Sequence, residues 1–404
     1  MSGAGASAMT SITIAGGLYH EHCIWPAWDQ LYGSAGRAAA AVVGHVDRIV
    51  LRSYARADTA AAFQPYANSY GFAFDPIPAD QTISFEYVHS LSTPTIRPAL
   101  PRIRKNSPFA TKADVILRFG MMEGSAVVDA DRCVYDPQSV FRPEPFPENG
   151  SRATHLAIVA NRGEVLAMAG GEDPIAAAKT LLHSGAEVVV VKSGVVGADV
   201  VQNSGVTHIP AYRTDRVWTV GSGDVFAAMF AARWGSNGDN PEVAARFASK
   251  AVAAYVDSMS LPCPSTVQLN SANLPEAKAV GGRVYLASPF FTLGQRWLVD
   301  EAHRCLIELG LDVFSPVHEV GPGPAGVVAL ADLAGLNESD VVFAILDGND
   351  SGTLFEVGHA QAKGKPVYAL AQTVSEEDLK MVAGSGCRVF DDFVTALHHV
   401  AWRT

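Results

Sequence analysis

From residue 283 onward, apolar runs of strand length alternate with stretches spaced like amphipathic helices. RVYLAS, LDVFSP, DVVFAILD and PVYAL are the apolar runs. Helical spacing falls around 294–309, around 325–336 and after Gly352, and two short units close the chain. Strands alternating with helices predict βαβ units and a parallel sheet. The first 260 or so residues also read as α/β, less regularly. SITIAGG reads as a first strand and AGRAAAAVVGHV as a helix; THLAIVA, EVVVVKSG and an Ala-rich helix from Val225 to about Trp234 continue the pattern. TISFEYVHS, with its Thr, Pro and Arg surroundings, predicts a β-rich excursion of lid type, and SVFRPEPFPENGS a loop. Periodicity is lost in SLPCPSTVQLNSANLPEAKAVGG, which is rich in Pro, Ser and Asn as a linker is. The expected organisation is a domain over 1–262, a linker over 263–280 and a second domain over 281–404, with no repeat between the halves.

Composition narrows the class. A chain of 404 residues exceeds one ordinary core, and 48% hydrophobic against 18% charged residues describes a compact globular protein. A net charge of -11 leaves no basic footprint for nucleic acid or an anionic membrane. Cys23, Cys133, Cys263, Cys305 and Cys387 are scattered without a CxxC or Cys/His cluster, the pattern of reduced thiols in a cytoplasmic protein. The opening MSGAGASAMTSITIAGG lacks a charged leader before an apolar core, so no signal peptide is expected. No apolar run approaches a membrane span.

The richest segment is NDSGTLFEVGHAQAKGKPVYAL, residues 349–370. It reads as a strand end, a glycine turn, a helix with an acid in its first turn, and another strand. Asp350 and Glu356 flank the turn at the carboxyl edge of the sheet, where open α/β sheets bind ligands. The helix dipole is expected to keep such a carboxylate ionised, which suits a nucleophile. A lone acid there would be read as a cap, but the pattern is longer than capping requires. Ser351 and Gly352 add a hydroxyl and backbone N–H donors at the helix start, a potential anion site, with an N-cap serine as the plainer alternative.

Together with VYLASPFF, SDVVFAILDGNDSGTLFEVGHA and GKPVYAL, this segment resembles the nucleoside 2-deoxyribosyltransferase family, nucleotide N-glycosidase relatives included, over about Arg283 to Val374. The resemblance implies a five-stranded parallel sheet with helices on both faces. It implies Glu356 as the nucleophile on the anomeric carbon, Asp332 as the acid contacting the base, Asp350 as the acid orienting base or sugar, and Tyr285 as the residue positioning the nucleophile. Independently of family, N-glycoside cleavage builds positive charge on the sugar, which a nearby carboxylate stabilises and can trap. Tyr285 reads equally well as a half-buried strand tyrosine. Asp340 and Asp347 read as turn or cap residues, with Asp347 kept as a weak candidate. His359 stands where relatives carry Tyr. No cofactor is implied for this half, and subunits that complete one another's pockets imply a homo-oligomer.

In the first half, TVGSGDVFAAMFAARW carries a glycine turn that opens a helix. N–H groups of Gly221, Ser222 and Gly223 at such a turn suit a phosphate, and Asp224 suits a proton acceptor for an attacking hydroxyl. With the NxxE of Asn161 and Glu164, VYDPQS and VVVVKSGVVGA, it resembles the ribokinase-like (PfkB) sugar and nucleoside kinases over about residues 11–258. The resemblance implies a mixed sheet with helices on both faces and a β lid, and ATP with Mg²⁺ as cofactors. Asp224 is then the base, Gly221 to Gly223 the anion hole, and Asn161 and Glu164 lie near the metal. Adenine is expected over Lys192 to Gly197, with Gly194 and Gly197 in the turn, and near the helix around Ala251. The acceptor end departs from the family: Trp218-Thr219 replaces Asp-Thr, Glu21 replaces an early Asp, and GGxxxN appears as Tyr32-Gly33-Ser34-Ala35-Gly36-Arg37. Glu21, Gly33 and Arg37 are still the acceptor-side candidates. His20 and His22 flank Glu21 without a third metal ligand and read as polar lining.

The resulting expectation is a two-domain enzyme acting on small nucleosides, nucleotides or sugars. One domain phosphorylates a hydroxymethyl group and the other cleaves or exchanges an N-glycosidic bond. Two alternatives stay open: a non-catalytic kinase-like module serving a glycosidase, and a C-terminal nucleotide-binding module without chemistry.

Overall fold

The computed structural model describes residues 9–139 and 142–403. The opening MSGAGASA and residues 140 and 141 of the expected loop lie outside the described residues. The chain divides into two compact units, Met1–Glu276 and Ala277–Thr404.

Nine strands form the main sheet of the first unit. Their order is Gly205–Pro210, Gly197–Gln202, Val188–Lys192, Arg152–Asn161, Ala126–Asp136, Phe109–Phe119, Ser11–Ala15, Arg48–Ala55 and Ala73–Pro78. The strand Gly197–Gln202 pairs antiparallel with both neighbours and all other pairs are parallel, so the sheet is mixed. Helix Gly33–Ala41 is buried along its whole length and helix Ser222–Phe230 from Asp224 onward, because small side chains let helix and sheet approach closely. A separate four-stranded sheet of Trp28–Leu31, His20–Cys23, Ser84–Tyr87 and Thr95–Arg97 is the β lid.

One pair of strands is unusual. Phe109–Phe119 and Ala126–Asp136 pair in parallel from Phe109↔Ala126 to Phe119↔Asp136, with only residues 120–125 between them. A straight strand of that length spans roughly 35 Å. The connection reaches about 25 Å fully extended. The two strands must therefore bend together, and the pairing is interrupted at Asp114 and Asp131. Arg152–Asn161 skips Thr154 at the same level. The bend returns the start of one strand towards the end of the other, so Arg118 Nη2 reaches Ser125 Oγ at 3.3 Å. Periodicity reading did not anticipate this bent pair, because parallel strands ordinarily need a helical crossover.

The second unit is a five-stranded sheet, all parallel, in the order Asp312–Phe314, Arg283–Ala287, Val341–Ile345, Val367–Leu370 and Arg388–Phe390. Its central strand VVFAI is wholly buried, as a strand covered on both faces must be. The helices Leu293–Glu308, Ala325–Glu338, Ser351–Ala362, Glu376–Gly384 and Phe393–Trp402 alternate with the strands. Strand order reverses between Arg283–Ala287 and Val341–Ile345, which is where such sheets open a ligand crevice. The stretch expected as a linker is partly built: helix Thr266–Ser271 carries a Ser265/Gln268 capping box and places Leu269 in the core of the first unit. No helix of the described residues is long and apolar enough to cross a membrane.

Phe343 is fully buried on the central strand of the second unit. Phe343→Ala is expected to destabilise that unit by about 3–5 kcal/mol, read as a shifted urea midpoint in circular dichroism.

Candidate active sites

In the second unit, the strand on one side of the switch point supplies Tyr285 and the helix after the strand on the other side supplies Glu356. Tyr285 donates its hydroxyl proton to Glu356 Oε1 at 2.6 Å. Phe314 stacks on the Tyr285 ring at 5.6 Å and fixes its plane. Burial pushes the Glu356 carboxyl up to about 7; the Tyr285 hydrogen bond pulls it down, while Asp332 and Asp350 push it further up. The Tyr285 hydroxyl is raised by burial and by the Glu356 charge, so it remains a proton donor.

The expected dipole effect is corrected by this geometry. No acid lies in the first turn of Ser351–Ala362, and Glu356 falls in its second turn. The positive end of a helix acts within about one turn, so burial decides the Glu356 charge. Asp350 holds the N-cap, its Oδ2 accepting from Thr353 N–H at 2.7 Å and from Thr353 Oγ1 at 3.0 Å. Ser351 therefore stands exposed at the first helical position and is not the cap. A Cβ on Gly352 would meet Asp350 Oδ2 at 3.0 Å. Asp332 faces the same carboxylates: its Oδ1 is buried without a hydrogen-bond partner, and burial raises its pKa. Asp347 ties the Gln372–Thr373 backbone, and Asp340 accepts from Arg283 N–H at 2.8 Å; both hold the frame. His359 lies 3.3 Å from Asn337 Oδ1 on the helix flank.

In the first unit the structure gathers Glu21, Gly33, Arg37 and Asp224 around one guanidinium. Arg37 is 1% exposed. Its Nη1 donates to Asp224 Oδ2 at 2.8 Å and its Nε to Tyr255 Oη at 3.0 Å, while Nη2 is paired with Glu21. Tyr255 donates in turn to Val220 C=O at 2.9 Å. Gly33 has φ +58°, and a Cβ there would lie 2.6 Å from Gly17 O, so this position admits only glycine. Gly221, with φ +77°, precedes helix Ser222–Phe230 as its N-cap. A Cβ on Gly221 would strike Arg37 Nε at 2.1 Å, so the guanidinium packs directly on the glycine turn.

Next to this network, Gln138 Nε2 donates to Asp224 Oδ1 at 3.1 Å and to Asp136 Oδ1 at 3.2 Å. Lys192 Nζ donates to Asp136 Oδ2 at 2.5 Å. Asn161 and Glu164 form a reciprocal capping box, each accepting from the other's backbone N–H. Burial, then Asp136, lifts Glu164 to about 7. Burial lifts Asp224 to about 6 against the pull of Arg37. Asp136, Gln138 and Tyr255 were not singled out from the sequence, and Lys192 was named only as the start of the adenine segment. VYDPQS and VVVVKSG carried three of them, but only as fragments of a family pattern. A Cβ on Gly194 would meet open space, whereas one on Gly197 would strike Ile209 O at 2.1 Å, so Gly197 answers to the hairpin.

The donor set fits an anhydride phosphate. First-turn N–H groups of a helix lack intrahelical acceptors, and Lys192 Nζ lies beside the Gly223 position, 3.3 Å from where its Cβ would be. Of the nearby carboxylates, Asp136 is paired with Lys192 and Gln138, and Glu164 caps Asn161.

The fold and these sites define an α/β protein of two enzyme-like units, one of kinase type and one of glycosyl-transfer type. Residues 149–262 match the pfkB family carbohydrate kinase model and residues 284–390 match the Nucleoside 2-deoxyribosyltransferase model. The chain thus joins a ribokinase/PfkB-like domain to a nucleoside-deoxyribosyltransferase-like domain. Among solved structures, it resembles ribokinase of Arabidopsis thaliana, complexed with ribose and ATP. The identity is 15%, the TM-score 0.52, and the match covers 66% of this chain and 100% of that one. Aminoimidazole riboside kinase of Salmonella enterica gives 15% identity and a TM-score of 0.50, over 65% of this chain and 99% of that one. At these identities the likeness shows the fold. No curated protein sequence matches.

Two outcomes follow for Glu356. Activity that needs its ionised form should fall below about pH 7, and Tyr285→Phe, which removes a downward pull, should move that limb to higher pH in a pH–rate profile. Because its folded pKa lies above the ordinary carboxylate value, its folded state binds the extra proton between about pH 4.5 and 7. Its contribution to stability is therefore lost as pH rises through that window. Glu356→Gln should gain roughly 1–3 kcal/mol over wild type at pH 8 and little at pH 4, read by chemical denaturation.

Proposed function

We propose that the second unit cleaves or exchanges the N-glycosidic bond of a nucleoside or nucleotide, with Glu356 as nucleophile. The observation that carries this is the Tyr285–Glu356 hydrogen bond beside the unpartnered carboxyl oxygen of Asp332. In the reaction, Glu356 forms a bond to the anomeric carbon as the bond to the base breaks, and Tyr285 keeps the attacking oxygen aligned. Asp332, whose pKa is raised, gives the departing base its proton or hydrogen bond. Water then displaces Glu356 to give the free sugar, or a second base displaces it to give a new nucleoside, and the proton of the attacking group returns to Asp332. The exposed Ser351 hydroxyl, not used as a cap, supports a 5′-phosphate as part of the substrate.

For the first unit, the glycine turn with Asp224 and Lys192 supports ATP-dependent phosphorylation of a sugar or nucleoside hydroxymethyl group, with Asp224 as base. The Arg37 network favours a second reading, a kinase-like module without phosphoryl transfer. The guanidinium occupies the space between Glu21 and Asp224, where an acceptor hydroxyl would have to approach its base.

Incubation with nucleosides and nucleoside 5′-monophosphates, followed by chromatography of released bases, tests the first proposal. Base release should fall at least about 10³-fold in Glu356→Ala. Intact substrates throughout the panel would sink it. Ser351→Ala should raise KM for monophosphates and leave nucleosides unchanged. Supplying ATP and Mg²⁺ with sugar and nucleoside acceptors separates the two readings of the first unit. Phosphorylation lost about 10²–10⁴-fold in Asp224→Ala supports the kinase. Unspent ATP with every acceptor supports the module.

A further inference from the structure

Arg37 occupies the space between Glu21 and Asp224, and the first unit holds a large space beside that network, lined in part by Gln138 and Glu164. A cavity of about 860 Å³ lies across Gln138 from the Arg37 network, within the size range that encloses a small organic molecule. The bent strand pair creates it. Residues 118–122, 124 and 125, which turn from one bent strand into the next, form one wall, and Phe85 and Ile96 of the lid form another. None of Glu21, Gly33, Arg37 or Asp224 lines it.

The lining has two kinds of chemistry. Tyr19, Phe85 and Tyr135 offer aromatic surface suited to a planar ring. Lys105, Arg118 and Arg142 outnumber the acids Glu144 and Glu164. Arg118 is the telling residue, being only 1% exposed. Its Nη1 donates to Phe146 C=O at 3.2 Å, and its Nη2 is shared between Ser125 and Glu144, yet its Nε–H has no acceptor. The guanidinium lies over the Tyr135 ring at 4.7 Å. A buried cationic donor left unpartnered is costly unless a ligand completes it. Its ionic partner among the described residues, Glu144, has a side chain 37% exposed and can swing outward.

We propose that this cavity is a ligand site of the first unit and takes a small aromatic anion of the nucleoside monophosphate class. The ring lies against the aromatic wall, and the anionic group displaces Glu144 from Arg118 Nη2 and accepts from the Nε–H as well. Gln138, which lines the cavity and hydrogen-bonds Asp224, then reports occupancy to the Arg37 network. This inference is independent of the Glu356 chemistry.

The test is titration calorimetry on the full chain carrying Glu356→Gln, with uridine and adenosine 5′-monophosphates as probes. Uridine, which lacks the anion, and ribose 5-phosphate, which lacks the ring, are the comparison arms. At least one monophosphate should bind saturably with Kd at or below about 100 µM, roughly 5.5 kcal/mol, and each comparison compound at least about tenfold more weakly. Met121→Trp, which fills the cavity, should remove one binding event, and Arg118→Met should weaken it at least about tenfold. Phe85→Ala, on the partly exposed lid, gives a milder variant that does not depend on core packing and should also weaken it. Binding unchanged in both Met121→Trp and Phe85→Ala, or no saturable event for either monophosphate, would overturn the proposal. Base release measured with Glu356 restored should be the same with and without Met121→Trp. If the parent releases no base while the calorimetric event persists, the Glu356 reading fails and the cavity proposal stands.

Discussion

The first unit is organised around a guanidinium placed where no water can reach it. An isolated buried charge is prohibitively costly, and two carboxylates, a tyrosine hydroxyl and a backbone carbonyl together make the Arg37 position tolerable. Each partner comes from a different element: Glu21 from the lid sheet, Gly33 from the start of a helix, Asp224 from the glycine turn, and Tyr255 from helix Pro241–Ser258. The position of the glycine turn, the attitude of the lid and the charge on Asp224 are therefore not independent. Removing one partner leaves a buried cation short of a counter-charge, which costs far more than the pair contributes.

The second unit solves the opposite problem with fewer parts. One carboxylate is buried, and burial favours its neutral form. A single tyrosine hydroxyl provides the counterweight, and a second acid nearby keeps an oxygen unpaired. The pKa near neutrality reflects that balance. Such poised carboxyls at a sheet switch point mark functional sites more often than structural ones, because a purely structural acid is normally fully paired.

Much of this was legible in the residues. Alternating apolar runs after residue 283 gave the parallel sheet because strands buried on both faces are continuous in hydrophobicity. Glu356 was found through a local pattern, and Tyr285 and Asp332 through the family resemblance; Tyr285 bonds Glu356, and Asp332 acts on its charge. The electrostatics were less legible: the dipole argument placed Glu356 one turn too early, and burial reverses its sense. Arg37 was visible only as a departure from a pattern, since no spacing rule joins positions 37 and 224. Asp136 ends one strand with Gln138 just beyond it, and Lys192 ends the strand two places along the sheet, a convergence that sequence order hides. The bent strands were hidden for another reason. Their apolar content suggests ordinary strands, and only the short connection rules out a straight pair.

That bend also alters how the first unit reaches its topology. A parallel pair normally brings together residues separated by a whole helix, and closing so long a loop precedes any reward. Here every partner along the pair is seventeen positions away, from Phe109↔Ala126 to Phe119↔Asp136. The entropy of joining these two parallel strands is thus nearer to that of a hairpin than of a crossover. The middle of the nine-stranded sheet carries a segment whose contacts are nearly local, around which more distant strands can assemble.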